Sequence, residues 1–351
     1  NSLGRDADSE WPATSSPART MHRVNASSVR SGGIVNVVAT GRQWTWDTVL
    51  TGVVPPVISV LDTAGGIDEA LQHALCEHIL GDGGTGLFVL GGCGEGAWLT
   101  PEQRSTVIRH CVSAAAGRAP VIAGVMLPAT ALAVDAAKRA ADAGANGIVA
   151  GSPYYNSVDA SAHLRHIEAI LDATPLPVLL YNIPQSTHHM LSIGTVAALS
   201  SEPRILGIKD SSGQLEHFQA LIGLKQAAPQ FRVLQGAEFA MAATALLGGD
   251  GAVPGMGNFA PSLFRDLFAA ARIGNSEQVM KIQAQIVELT KLHGLASHWL
   301  PSLKGACRLL GLGNGRPAAP LLAASELELA KIRAAIAPHL PMHLLGRLRP
   351  S

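Results

Sequence analysis

Charge is scarce in this chain. Of 351 residues only 15% are charged, and 26 basic residues balance 26 acidic ones for a formal net charge of zero. Without a basic surplus nothing neutralises a phosphate backbone, which excludes a nucleic-acid binder. Low charge combined with 47% hydrophobic residues is the reverse of a disordered composition. Long apolar runs are missing too: none reaches the roughly 18–20 residues needed to span a bilayer, so no membrane partner is expected. Cysteine is limited to Cys76, Cys93, Cys111 and Cys307, with no CxxC pair and no metal-finger spacing, which fits a reduced, cytoplasmic protein. The 13 histidines include no HExxH, and the one adjacent pair, His188-His189, is badly placed to share an ion, so no metal is expected. Tyrosine is scarcer still. The three tyrosines, Tyr154, Tyr155 and Tyr181, fall close together, and lysines number only seven.

What is present divides into zones. Residues 1–46 are rich in Ser, Ala and Arg and begin without methionine, and between Pro17 and Trp46 they hold Arg19, Arg23, Arg30 and Arg42 with no acid. The expectation is a disordered leader or expression remnant, with an organellar import segment as the alternative. From there a rhythm sets in. Short β-branched runs bounded by Gly or Pro are expected as strands at 52–59, 86–91, 120–125, 147–151, 177–181, 204–209, 232–236 and 251–255. Helices are expected near 66–81, 101–116, 130–143, 159–173, 192–199, 214–227, 238–248 and 261–273. The strands are continuous apolar runs, as in a parallel sheet covered on both faces. Eight β–α units between residues 52 and 273 have the count and size of a (β/α)8 TIM barrel, placed at 47–275. A doubly wound sheet would follow its first strand with a Gly-rich phosphate loop, but Val53-Val54-Pro55-Pro56 stands there. Residues 276–340 read as a C-terminal three-helix appendage, Gln278–His293, Trp299–Leu310 and Ser325–Ala337, and 341–351 as a fraying tail.

In such a barrel, polar residues at the C-terminal ends of strands are the functional candidates. Lys209 closes the apolar run 204–208 and is the only strand-end lysine. Burial there disfavours the ammonium form and favours an amine that attacks a carbonyl; the alternative is a lysine that snorkels to solvent or pairs with a carboxylate such as Asp210. Tyr181 ends the preceding strand, and adjacent parallel strands lie about 5 Å apart, so a phenol and an amine meet over one substrate, with the phenol suited to acid–base work. The alternative is a rim tyrosine that merely packs. Glycines in Gly91-Gly92-Cys93-Gly94-Glu95-Gly96 let backbone N–H groups converge on a carboxylate. Cys93 is the only strand-end cysteine, so a nucleophilic thiol enters the account, though no histidine is placed beside it.

Taken together, these segments resemble the dihydrodipicolinate synthase / N-acetylneuraminate lyase family of Schiff-base-forming lyases and aldolases, over residues 49–337. Gly91–Glu95 resembles that family's Gly-Thr-Thr-Gly-Glu loop. Gly144–Gly147 through Ser152–Asn156 resembles its fourth-strand motif, and Leu180–Pro184 and Gly207–Gly213 its fifth and sixth strands. The resemblance implies that Lys209 forms an imine with the keto carbon of pyruvate or another 2-oxo acid, with no cofactor. It implies that Tyr181 shuttles protons and that Tyr155 reaches into a neighbouring subunit's site, within a homotetramer built from dimers. The Gly92 and Cys93 backbone would hold the substrate carboxylate, the Val253 carbonyl would lie beside the imine, and Ser211, Gly236 and Glu238 would read the distal part of the substrate.

The chain departs from the pattern in two places. Gly92 and Cys93 stand where the family has threonines, the first of which links its tyrosines in a proton relay; here the link runs through water or the Cys93 thiol, or is absent. Ser186 stands where the synthases carry an arginine that grips the aldehyde's carboxylate, which disfavours aspartate semialdehyde. Ser186, Ser211 and Glu238 instead suit hydroxyl groups. The expected function is a pyruvate-dependent class I aldolase acting on a 2-oxo-3-deoxy or 4-hydroxy-2-oxo acid. The alternatives are dihydrodipicolinate synthase, a 2-oxo-3-deoxy sugar acid dehydratase, and an inactive member with a binding role.

Overall fold

The computed structural model describes residues 44–348. Seven parallel strands run in chain order: β1 (Leu87–Val89), β2 (Val121–Gly124), β3 (Gly147–Gly151), β4 (Val178–Asn182), β5 (Ile205–Asp210), β6 (Arg232–Gln235) and β7 (Gly251–Ala252), each hydrogen-bonded to the next. Between β7 and β1 lies the run 52–59, expected as a strand. It is not one: it makes single parallel bridges, Val53 to Ala252 on one side and Pro56 to Phe88 on the other. The physical reason is Pro55-Pro56, which brings no N–H to a ladder. The flanking residues complete the seam instead: Val54 and Val57 donate to the carbonyls of Ala252 and Phe88 at 2.8 Å each, and Phe88 N–H donates to the Pro55 carbonyl at 3.1 Å. These bonds close the curled sheet into a TIM-barrel-like α/β fold.

The helices start where side chains satisfy their free N–H groups. Asp68 accepts from Leu71 N ahead of Glu69–Gly81, and Asp159 from Ala162 N ahead of Ala160–Ala173. Thr100 and Gln103 form a reciprocal capping box ahead of Pro101–Ala115, with proline at the first helical position, where its missing N–H costs nothing.

Strand side chains alternate between two cores. Phe88, Ile122, Val149, Leu179, Tyr181, Leu234 and Val253 point into the barrel and pack on one another. Their neighbours Leu87, Val89, Val121, Ala123, Ile148, Val178, Leu180, Ile208 and Val233 face the helical shell. This period of two decides which polar residues reach the mouth.

Three long helices follow the barrel, Ser276–Thr290, Trp299–Leu309 and Glu326–Ile336, and a short one, Met342–Leu345, comes after them. They share one continuous core with the barrel's helical shell, through Ile282, Ile286, Leu303 and Ile332 among others. Both ends of the fold extend past the expected limits. Trp44 and Trp46, inside the stretch read as a leader, stack edge-to-face at 5.2 Å and pack against the barrel interior; residues 1–43 lie outside the described residues. In the stretch read as a tail, Leu344 is buried and His343 Nε2 lies 2.8 Å from Asp82 Oδ1. No helix among the described residues is long and apolar enough to cross a membrane.

Candidate active site

β4 and β5 pair in register so that Tyr181 sits directly beside Lys209, and Asn182 beside Asp210. Alternation sends the first pair into the barrel and the second outward. Asn182 and Asp210, each 1% exposed, bond to one another at 2.7 Å (Nδ2 to Oδ1), and Ser212 Oγ donates to the other Asp210 oxygen at 2.8 Å. Asp210 is therefore not the counter-ion of Lys209. The ion-paired lysines are Lys225, Lys291 and Lys304; among the described residues Lys209 has no carboxylate partner. Its side chain is 4% exposed, and Nζ lies 4.1 Å from the Tyr181 ring centre and 5.1 Å from that of Phe88. Such cation–π contacts return about 0.5–2 kcal/mol each, against a burial penalty of several kcal/mol for an unpaired ion. An amine kept in such a place is a candidate for chemistry.

Just past the end of β5, two positions after Lys209, Ser211 again faces inward. Its Oγ approaches the Tyr181 hydroxyl at 3.4 Å. The room for it comes from Gly236, just past β6: a Cβ there would lie 2.0 Å from Ser211 Oγ and 2.8 Å from Lys209 Cε. Glycine at 236 is thus a steric requirement of the amine and hydroxyl beside it.

Above this cluster opens a cavity of about 330 Å³ lined by Gly91, Gly92, Met126, Tyr154, Tyr181, Ser186 and Trp299, among others. Lys209 lies beside Tyr181 and is not itself among the lining residues. A larger surface cavity of about 430 Å³, between Asp62, Trp98, Arg316 and Leu322, carries none of the predicted site residues.

The opposite side of the mouth is the loop 90–96. Its backbone is tightly folded: Leu90 and Glu95 take φ of +60° and +56°, a left-handed conformation that costs L-residues about 1–2 kcal/mol. A Cβ at Gly96 would press on the Leu90 carbonyl at 2.1 Å, whereas one at Gly92 would meet nothing within 4 Å. Neither Gly92 nor Cys93 donates its N–H to another backbone carbonyl among the described residues; the Cys93 N–H faces its own thiol, and Gly92, which lines the cavity, has its N–H available for an anion. The Cys93 thiol is buried, and burial pushes its pKa up to about 12 although the Lys209 charge pulls the other way. It stays protonated, which removes the nucleophilic-thiol alternative.

A buried ion pair holds this loop. Glu95 and Lys304, 3% and 1% exposed, form a direct ion pair. Lys304 Nζ also donates to the Arg316 carbonyl at 2.7 Å, and Glu95 Oε1 accepts from Ala318 N at 2.5 Å. Burial lowers the Lys304 pKa, and the Glu95 charge opposes that without cancelling it. The one sequence signal was a lysine inside the apolar run Leu300–Leu309. His298 and Trp299, at the start of that helix, also line the cavity, as does Tyr154.

The remaining predicted residues are dispersed. Val253 lies in the barrel interior, 1% exposed. The Glu238 carboxylate accepts from Met256 N at 2.6 Å and from His293 Nε2 at 3.1 Å. Burial disfavours the His293 imidazolium, but the Glu238 hydrogen bond and charge outweigh it and raise the pKa. Tyr155 is 90% exposed and has φ +81°. Among the described residues no group of three or more His, Cys, Asp or Glu side chains is placed to hold a metal.

Fold and site together define a parallel α/β barrel that presents an unpaired buried amine and a phenol side by side at the C-terminal ends of adjacent strands. A family model described as the dihydrodipicolinate synthetase family matches residues 49–338, and the chain belongs to that family. Among curated relatives it is 33% identical over 265 residues to the putative 2-dehydro-3-deoxy-D-gluconate aldolase YagE of Escherichia coli K12, covering 75% of this chain and 88% of YagE. It is 34% identical over 272 residues to a 4-hydroxy-tetrahydrodipicolinate synthase of Anaeromyxobacter sp. strain K, covering 78% and 92%. The crystal structure of E. coli YagE in complex with pyruvate superposes with a TM-score of 0.78 at 30% identity, covering 82% of this chain and 98% of that one.

Proposed function

We propose that this protein is a pyruvate-dependent class I aldolase that cleaves or forms a 2-oxo-3-deoxy or 4-hydroxy-2-oxo acid. The observation that carries the proposal is the buried, carboxylate-free Lys209 beside Tyr181. The amine adds to the 2-oxo carbon, the carbinolamine loses water, and the resulting iminium is the electron sink for breaking or making the neighbouring carbon–carbon bond. Tyr181 gives and takes the protons of these steps, and the backbone of the Gly92–Cys93 segment holds the carboxylate. On this reading the Val253 carbonyl flanks the imine, and Tyr155, 90% exposed, suits a contact with a second copy within a homotetramer.

The choice of substrate rests on the lining of the mouth. Among the described residues no arginine or lysine lines the cavity, and Ser186 does, so a second carboxylate meets no bidentate partner there. Hydroxyl-bearing aldehydes fit better. The second reading, 4-hydroxy-tetrahydrodipicolinate synthase, is favoured by the names of the Anaeromyxobacter relatives. The test is pyruvate consumption with a panel of aldehydes: the proposal expects turnover with hydroxyaldehydes such as glyceraldehyde and glycolaldehyde. Turnover confined to aspartate semialdehyde contradicts it.

A further inference from the structure

We propose that Ser211 is the hydroxyl that supports Tyr181 in its proton transfers, so that the phenol has a partner just past the end of β5 although the loop at 92–93 offers none. This rests on the reading of Lys209 as the imine-forming amine. Three observations point to it. Ser211 Oγ is the side-chain group within hydrogen-bond reach of the Tyr181 hydroxyl among the described residues, at 3.4 Å. The contact is long for a hydroxyl pair, as acid–base contacts often are before substrate tightens them. Next, Ser211 is fixed at both ends of its backbone unit: its N–H donates to the Asn182 carbonyl at 2.9 Å and its carbonyl accepts from Gln185 Nε2 at 3.0 Å. Asn182 adjoins Tyr181, so phenol and hydroxyl are carried by one hydrogen-bonded frame. Finally, Gly236 leaves a space shared by Ser211 Oγ and Lys209 Cε, which places the hydroxyl next to the reacting amine as well as the phenol.

The chemistry assigns Ser211 as the donor. With Ser211 O–H directed at the phenol oxygen, the Tyr181 proton is free to point at the substrate. When the carbinolamine collapses, that proton leaves with the hydroxyl group as water, the nitrogen lone pair forms the C=N bond, and Tyr181 remains as phenolate. The Ser211 hydrogen bond stabilises this anion, and charge-assisted bonds are roughly twice as strong as neutral ones. The phenolate then takes a proton from the carbon next to the iminium; the C–H electron pair becomes the enamine double bond and the phenol is restored. Ser211 neither gains nor loses a proton over the sequence. It is a positioning residue for Tyr181.

The experiment measures imine formation in single turnover, by mixing protein with pyruvate and quenching in borohydride at timed intervals. Ser211→Ala is expected to slow imine formation about ten- to a hundredfold while reaching the wild-type extent of adduct at long times, and Ser211→Thr, which keeps the hydroxyl, to stay within about threefold. Gly92 lines the same cavity as Tyr181 and has open space at its Cβ, so Gly92→Thr in the Ser211→Ala background is expected to recover much of the rate, an effect that simple damage to packing would not show. An Ala variant as fast as wild type, or a Thr variant as slow as the Ala variant, overturns the assignment. A wild-type protein that forms no adduct removes the imine reading beneath it as well; an adduct whose rate ignores the hydroxyl removes this assignment alone.

Discussion

The two sides of the mouth each hold a buried lysine, and the lysines behave in opposite ways. Lys209, on the strand side, has two aromatic rings for company and no carboxylate partner. Lys304, behind the loop side, is tied to Glu95 and to the Arg316 carbonyl. A buried ion pair with its hydrogen bonds satisfied is a device for holding backbone in place, and here it pins a loop strained at Leu90 and Glu95. A buried lysine without a carboxylate partner holds nothing; it is tolerated where reactivity is needed. Burial alone does not identify a catalytic lysine, and the partner list does.

Replacing each lysine by methionine breaks the comparison most sharply. Lys209→Met is expected to lose aldol turnover by at least about 10⁴-fold while raising stability, because it removes a buried polar group without a carboxylate partner at nearly constant volume. Lys304→Met is expected to cost about 3–5 kcal/mol, because it strands the Glu95 carboxylate in the core. Denaturant titration of the two variants with a turnover assay checks both, and Glu95→Leu added to Lys304→Met is expected to restore most of the stability. Equal losses of stability in the two single variants would erase the distinction.

A smaller effect probes the loop side through His293, whose pKa is raised by Glu238 against the effect of burial. A histidine whose folded pKa exceeds its unfolded value adds stability that is fully present below the unfolded pKa, about 6.5, and lost as pH rises through the folded value. The wild type is thus expected to lose its advantage over His293→Gln as pH rises from 6 to 9, by about 1 kcal/mol or less. Melting temperatures across that range read it out. Smallest of all is the effect at Cys93. With its thiol pKa pushed up to about 12, Cys93→Ser is expected to alter turnover less than about threefold, and the native thiol to resist iodoacetamide at pH 8.

The same contrast explains what was legible in the sequence. The strand side is local: Tyr181 and Lys209 meet because two apolar runs end in register, and period-two alternation sends both inward and Asn182 and Asp210 outward. Runs, ends and alternation are all written along the chain. The seam at 52–59 has the apolar character of a strand, but the missing donors of Pro55-Pro56 leave only bridges there. The loop side was opaque because Glu95 and Lys304 are partners across 209 residues, and nothing in the period of a helix announces a distant carboxylate. Ser211 was legible as a site residue, but its contact with the phenol depends on the space at Gly236, which appears only once β5 and β6 are side by side.

The central claim is that Lys209 is the amine that captures a 2-oxo acid. Reducing the protein with borohydride in the presence of pyruvate, then mapping peptide masses, tests it most directly. The account predicts one stable pyruvyl adduct, on the peptide containing Lys209, absent without pyruvate and absent in Lys209→Met. An unmodified Lys209 peptide, or an adduct on Lys304 or another lysine in its place, would contradict it.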